Sequence, residues 1–282
     1  MTGIAKKALL LSGAVATLAC ASAALMVQGA AAQNAAPDFS SGNSGWVSIG
    51  TDWDPVPGAP PPVTFDPSHP YVPNGSGAQP TFRVADLSNP SLSQFAKDEL
   101  KKSNDLVIGG FAMYARESRC WMSGTPVYLL NPAQPTFILQ APDKVTMMWQ
   151  MDQQVRHIYM NVPHSANPKP SWYGESVGHY EGDTLVIDTI GLNDKSFIDN
   201  YRTHHSNKLH VVERFRLTEG GQKLQADVTI DDPVALTQPW HVTHTWRKVT
   251  GPMTESRCAD GEMVNPFGQK AEPLPVADKP DF

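Results

Sequence analysis

The chain is predicted to be all-β, an antiparallel meander barrel or strongly curved sheet of lipocalin-like form, with one short N-terminal helix and a Pro-rich arm. Three observations predict this. Segments between residues 136 and 249 alternate apolar and polar residues with a period of two, the pattern of half-buried strands. Tight-turn residues stand between them, as in Glu181-Gly182 and Glu219-Gly220-Gly221. No strand–helix–strand alternation occurs, so a parallel α/β sheet is not expected.

In chain order, residues 1–32 read as a secretory signal peptide. Lys6 and Lys7 form the positive start, a charge-free apolar stretch follows to about Val27, and Ala30-Ala31-Ala32 is a small-residue cleavage site. Two alternatives stand beside cleavage. The apolar stretch is about long enough to span a membrane if retained, and Thr17-Leu18-Ala19-Cys20 resembles a lipoprotein site. Cleavage removes two lysines and no acid, taking the formal net charge from −6 to about −8. An acidic chain without a Lys/Arg cluster is a poor nucleic-acid binder. No segment after residue 32 is apolar enough to span a membrane. The expected location is periplasmic or secreted.

Residues 33–80 are rich in Pro, Gly and Ser and are expected to form an irregular arm, with Trp46, Trp53 and Tyr71 as apolar anchors. Residues 81–265 are expected to form a single β domain and 266–282 a flexible tail. Asn89 reads as the N-cap of a helix with Pro90 in its first turn, ending near Ser103-Asn104. Strands are expected at 136–140, 145–151, 155–160, 176–180, 183–190, 210–217, 223–231 and 240–246. Two cysteines outside the leader, Cys120 and Cys258, form an even set that in an exported chain suggests a disulfide; two buried thiols are the alternative.

The run from Trp172 to Thr189 is distinctive, with Ser176-Val177-Gly178-His179-Tyr180-Glu181-Gly182-Asp183-Thr184-Leu185-Val186-Ile187-Asp188-Thr189 at its centre. Gly191-Leu192-Asn193-Asp194, His205-Ser206, Val212-Glu213-Arg214-Phe215 and Thr229-Ile230-Asp231-Asp232-Pro233 follow it. Together these resemble a family of exported bacterial proteins of unknown function. Tyr180 and Leu192 stand where that pattern has Trp and Phe. The resemblance spans about residues 115–260 and implies a shared scaffold or site, with no activity attached.

Candidate chemistry comes from ionisable residues that interrupt apolar faces. His244 alternates with Trp240, Val242 and Trp246; Glu213 with Val211, Phe215 and Leu217; Asp188 with Val186 and Ile190; His157 with Val155 and Tyr159. A carboxylate and an imidazole sharing an apolar cavity acquire perturbed pKa values suited to acid–base work. Glu213, His244, His157 and Asp188 are therefore the candidate catalytic set. His205, Asn193 and Asp194 are candidates for a ligand-binding loop lip, and Trp149, Trp240 and Trp246 for the wall of an apolar cavity. The alternative for the ionisable set is a structural ion pair or a hydrogen-bonded core histidine, and for the tryptophans an ordinary core.

The remaining histidines, among them His164, His179, His204 and His210, match no standard zinc spacing, and no metal or cofactor is expected. Gly174-Glu175-Ser176-Val177-Gly178 matches the G-x-S-x-G pattern but lacks the helix that a nucleophile elbow needs. Three functions remain open: an exported barrel enzyme using His/Glu/Asp acid–base catalysis on a small apolar or aromatic molecule (a lyase, isomerase or hydrolase), a periplasmic protein binding a hydrophobic ligand, or a structural envelope protein. Convergence of Glu213, His157 and His244 favours the first.

Overall fold

The computed structural model describes residues 36–40, 43–70, 83–109, 121–132, 134–151 and 155–254, and the backbone of two short strands at 111–112 and 270–271. The leader, Tyr71, Cys120, Cys258 and the rest of the tail lie outside the described residues.

Nine strands close into a barrel. They are β1 (Ser44–Ser48), β4 (Thr136–Gln140), β5 (Lys144–Trp149), β6 (Val155–Met160), β7 (Glu175–Glu181), β8 (Thr184–Ile190), β9 (His210–Thr218), β10 (Lys223–Asp231) and β11 (Trp240–Thr250), each bonded to the next, with β11 returning to β1. A short β2 (Asp54–Pro55) extends the pairing along β11, and β3 (Phe111–Ala112) pairs in parallel with β12 (Lys270–Ala271). The eight strands expected from alternation are all present.

The number of direction reversals around a closed ring must be even. Nine strands therefore cannot all be antiparallel, and one neighbouring pair must run the same way. That pair is β6–β7, in register at Ile158↔Ser176, Tyr159↔Val177 and Met160↔Gly178; the other eight pairings are antiparallel. Parallel neighbours need a crossover connection instead of a tight turn. Residues 161–174 supply it, and this departure from a pure meander creates the cleft described below.

The ninth strand comes from the arm. Residues 33–80 are not irregular throughout: β1 pairs with both β11 and β4 and closes the barrel. Trp46 is buried there and its indole donates to the Phe39 carbonyl at 2.8 Å, while Trp53 is buried and donates to the Ile198 carbonyl at 3.0 Å. A five-residue strand, S-G-W-V-S, carries too little alternation to stand out from its Pro/Gly surroundings.

The helix also differs from expectation. It runs over α1 (Gln94–Ile108), after β1 and β2, so it is not N-terminal, and its N-cap is Ser93, whose Oγ accepts from the Ala96 amide at 3.2 Å. Asn89 instead folds an Asx turn onto Ser91 and ties down the arm, donating to the carbonyls of Pro61 and Pro62. Helix does not stop at Asn104, because that side chain is buried and both donates to and accepts from the Ala85 backbone at 2.8 Å. A tertiary contact thus keeps a weak helix former inside the helix.

Inward faces of the strands form one core with the arm and helix, from Met147 and Trp149 through Ile158, Ile187 and Phe215 to Trp240 and Trp246. A 3-10 turn at Val127–Leu130 adds Tyr128, Leu129 and Leu130 to it. Among the described residues, no helix is long and apolar enough to cross a membrane.

Candidate functional site

The four candidate catalytic residues separate into two pairs. Glu213 and His244 point into the barrel and are fully buried, on β9 and β11 as their alternation indicates. His157 and Asp188 point outward. On β6 the inward residues are Arg156, Ile158 and Met160, so the face carrying Val155, His157 and Tyr159 is the exposed one. A one-residue change of register exchanges the faces of a strand, and here Arg156 decides which way the strand sits.

Arg156 is 2% exposed and Glu213 0%. The guanidinium grips both carboxylate oxygens, Nη1 donating to Oε1 at 2.9 Å and Nη2 to Oε2. Its other donors are also used: Nε to Ser176 Oγ at 3.1 Å, Nη1 to Tyr128 Oη at 3.0 Å and Nη2 to Thr189 Oγ1 at 2.7 Å. Five N–H groups meet five bonds, the full capacity of an arginine. Burial disfavours the guanidinium charge, and the Glu213 carboxylate more than offsets this, so its pKa lies above the ordinary arginine value. Glu213 is therefore held as the counter-ion of Arg156, not as a base poised for a substrate. Ser176, the centre of the G-x-S-x-G match, is part of this network in mid-strand, with its Oγ 2.9 Å from Thr189 Oγ1.

No hydrogen bond joins His244 to Glu213. The imidazole Nε2 lies 2.6 Å from Ser48 Oγ, and that hydroxyl also donates to the Gly50 carbonyl at 2.9 Å. A hydroxyl has one hydrogen, so the ring tautomer decides whether Gly50 or Nε2 takes it. Edge contacts from the Trp53 and Trp246 rings complete the surroundings, and burial pushes the His244 pKa down to about 4. It is a neutral core histidine.

The remaining candidates also resolve into structure. His205 is buried; Nδ1 faces the Ser206 carbonyl at 2.9 Å and Nε2 the Ser196 hydroxyl at 2.8 Å. A carbonyl only accepts, so Nδ1 carries the hydrogen, Nε2 accepts, and burial lowers the pKa. Asn193 accepts from the Lys195 amide at 3.1 Å, and Asp194 is exposed, near enough to act on the His205 charge. Trp149, Trp240 and Trp246 are buried in the core, their indoles donating to Gln134 O, Ser91 Oγ and Leu129 O at 3.1, 2.7 and 3.2 Å. They are part of the packed core.

The open space lies on the wall, at the crossover. A cleft of about 590 Å³ runs between outward-facing Val155, His157 and Tyr159 of β6 and the residues 165–176 that return to β7, with Trp172 and Tyr173 among its walls and Arg156 and Ser176 at its floor. This volume is in the range of small-molecule sites. Gly174 sets the return: its φ is +66°, and an added Cβ would lie 2.6 Å from the Ile190 carbonyl. Beyond the turn the Tyr173 ring meets Tyr128 edge-on at 5.4 Å.

The crossover is tied down beside the cleft by a second polar cluster. His164 Nδ1 faces Glu175 Oε1 at 3.1 Å, and its Nε2 faces Asp188 Oδ1 at 2.9 Å. His210 Nε2 reaches the same Asp188 oxygen at 2.9 Å. Ser165 donates to Glu175 from its amide and its hydroxyl, both at 2.7 Å. Those Ser165 bonds hold the Glu175 pKa below its ordinary value, with His164 adding to them. His210, then His164, lowers that of Asp188, and Asp188 raises that of His210. Among the described residues, no group of three or more His, Cys, Asp or Glu side chains is placed to hold a metal ion.

Asp188 and His157 thus belong to the neighbourhood of one external site, although they do not bond to each other. Arg156, His164, Glu175, His210, Trp172 and Tyr173 were not among the expected site residues. The distinctive run at 172–189 was the signal available: it supplies the cleft wall, Glu175 and Asp188. Comparison with protein-family models, curated proteins and solved structures gave no match.

Proposed function

We propose that the chain is an exported β-barrel protein that binds a small molecule in the crossover cleft. One observation carries this reading: inside the barrel Arg156 and Glu213 are buried and locked to each other, whereas the cleft is a built concavity with exposed apolar side chains, Val155 and Tyr159, in its wall. Exposed apolar surface rimmed by polar groups marks interaction sites on soluble proteins. Export rests on the leader, and the resemblance to an exported family agrees with it. Catalysis inside the barrel has no support, because Glu213 and His244 are each held in separate structural roles. A catalytic reading keeps one specific observation, the Glu175–His164–Asp188–His210 chain reaching the cleft through Glu175.

The test is backbone-amide NMR of the chain beginning at Gln33, titrated with small-molecule mixtures drawn from the extracytoplasmic fraction. Binding at the cleft shifts resonances of residues 155–159 and 171–176 and leaves those of Trp240 and Trp246 unchanged. Shifts confined to the inward-facing residues, or none anywhere, overturn it. Turnover of a bound molecule that disappears in His164→Asn would establish the catalytic reading instead.

A further inference from the structure

The hydrogen-bonding capacity left unspent in the cleft identifies a class of ligand. Every donor of Arg156 is used, and Glu175, a carboxylate lining the cleft, has both oxygens taken by Ser165 and His164. The guanidinium has no donor left for an incoming molecule, while Glu175 Oε2 keeps an acceptor site beside its Ser165 bond. Lys169, Trp172, Tyr159 and His157 line the same space, and Lys169 Nζ, the Trp172 indole N–H, the Tyr159 hydroxyl and His157 Nε2 make no hydrogen bond among the described residues. Among the described residues Lys169 is the cation of the cleft that no ion pair holds, and a lysine and an indole nitrogen only donate. The apolar part is planar: Tyr159, Trp172 and Tyr173 are rings, with Met122 and Val155 beside them.

We propose that the cleft binds an organic anion built on a flat aromatic ring, its carboxylate or equivalent group meeting Lys169 and the Trp172 N–H. This rests on the reading of the cleft as the binding site. A cationic ligand would meet Glu175 already bonded to Ser165 and His164. An aromatic anion uses both what is flat and what is charged: rings stack offset or edge-on, and a charge-assisted hydrogen bond fixes the orientation.

Calorimetric titration of the chain beginning at Gln33 tests this with three probes: naphthoate, naphthylmethanol and cyclohexanecarboxylate. Naphthoate should bind most tightly. Lys169→Met should weaken it about fivefold, the scale of one exposed ion pair, and leave naphthylmethanol unchanged. Trp172→Ala should weaken both naphthyl probes. Equal affinity for naphthoate and its neutral alcohol overturns the anion assignment and leaves the cleft as a site. Naphthoate binding indifferent to both substitutions places the probe elsewhere and overturns the proposal, as does no binding of any probe. In that last case the NMR mapping above still decides whether the cleft binds anything.

Discussion

The barrel carries two carboxylate clusters in opposite surroundings, one held by an arginine and one by histidines. Inside, Arg156 and Glu213 are sealed from water with Tyr128, Ser176 and Thr189 as further partners. On the wall, His164 and His210 share Asp188, which is 40% exposed, and His164 also meets Glu175. In the interior, breaking a pair leaves an uncompensated charge in a low-dielectric medium, so geometry is enforced. On the wall, water can replace either partner, so the same contacts are weak and available for adjustment. Burial turns the inner cluster into architecture, and exposure leaves the outer one able to shape a site.

The largest expected effect breaks the inner cluster. Glu213→Ala should cost about 3 to 5 kcal/mol by leaving Arg156 buried and unpaired. Replacing both, Arg156→Met with Glu213→Leu, should recover much of that loss. Urea denaturation reads both; a single-variant cost under about 1 kcal/mol would show that the interior admits water.

A second prediction concerns two other buried groups. His244 has a folded pKa of about 4 against 6.5 for an ordinary histidine. Between those values the unfolded chain holds the extra proton, so this contribution is lost as pH falls. Burial raises the Asp199 carboxyl to about 6 from 3.8, although its oxygens accept from Tyr201 N, Thr203 N and Thr203 Oγ1. There the folded chain holds the extra proton, so this contribution is lost as pH rises. From about pH 4 to 6 the two slopes oppose each other, each near 1.4 kcal/mol per pH unit. The stability of Asp199→Asn relative to the parent should therefore rise with pH at about that slope. A pH-independent difference would mean that Asp199 is ionised throughout.

The smallest effect sharpens the contrast from the outer side. His164→Ala should cost no more than about 1 kcal/mol, in keeping with a partly exposed cluster. Its signature should be local: faster amide hydrogen exchange across residues 161–174 with exchange in β9 and β10 unchanged. Protection that falls equally throughout the barrel would show that the outer cluster is part of the global fold.

Much of the fold was legible because strand alternation repeats locally. Residues 223–231 show it without interruption and are strand as read. The inward placement of Glu213 and His244 followed from the same pattern, since their apolar neighbours on β9 and β11 leave one possible core face. V-R-H-I-Y-M of β6 offers two comparable faces, each with one cation-forming residue and two apolar ones. Hydrophobicity favours hiding histidine over arginine, but the partner that admits Arg156 is 57 residues away on β9. The cleft was partly legible, as the distinctive run from Trp172, but its opposite wall is β6, joined to it through the parallel pairing and the Arg156 bonds to Ser176 and Thr189.

By itself, the sequence determined the β class, the positions of eight strands and the turns between them, because these depend on contacts within a few residues. Tertiary structure alone decided the ninth strand, the parallel pair, the sealing of Arg156 and the meeting of His164 with Asp188 and His210. Closing a ring imposes conditions on all strands at once: an even number of reversals, and a partner for every charge that the ring encloses. No local pattern encodes those conditions, and the crossover cleft is their product.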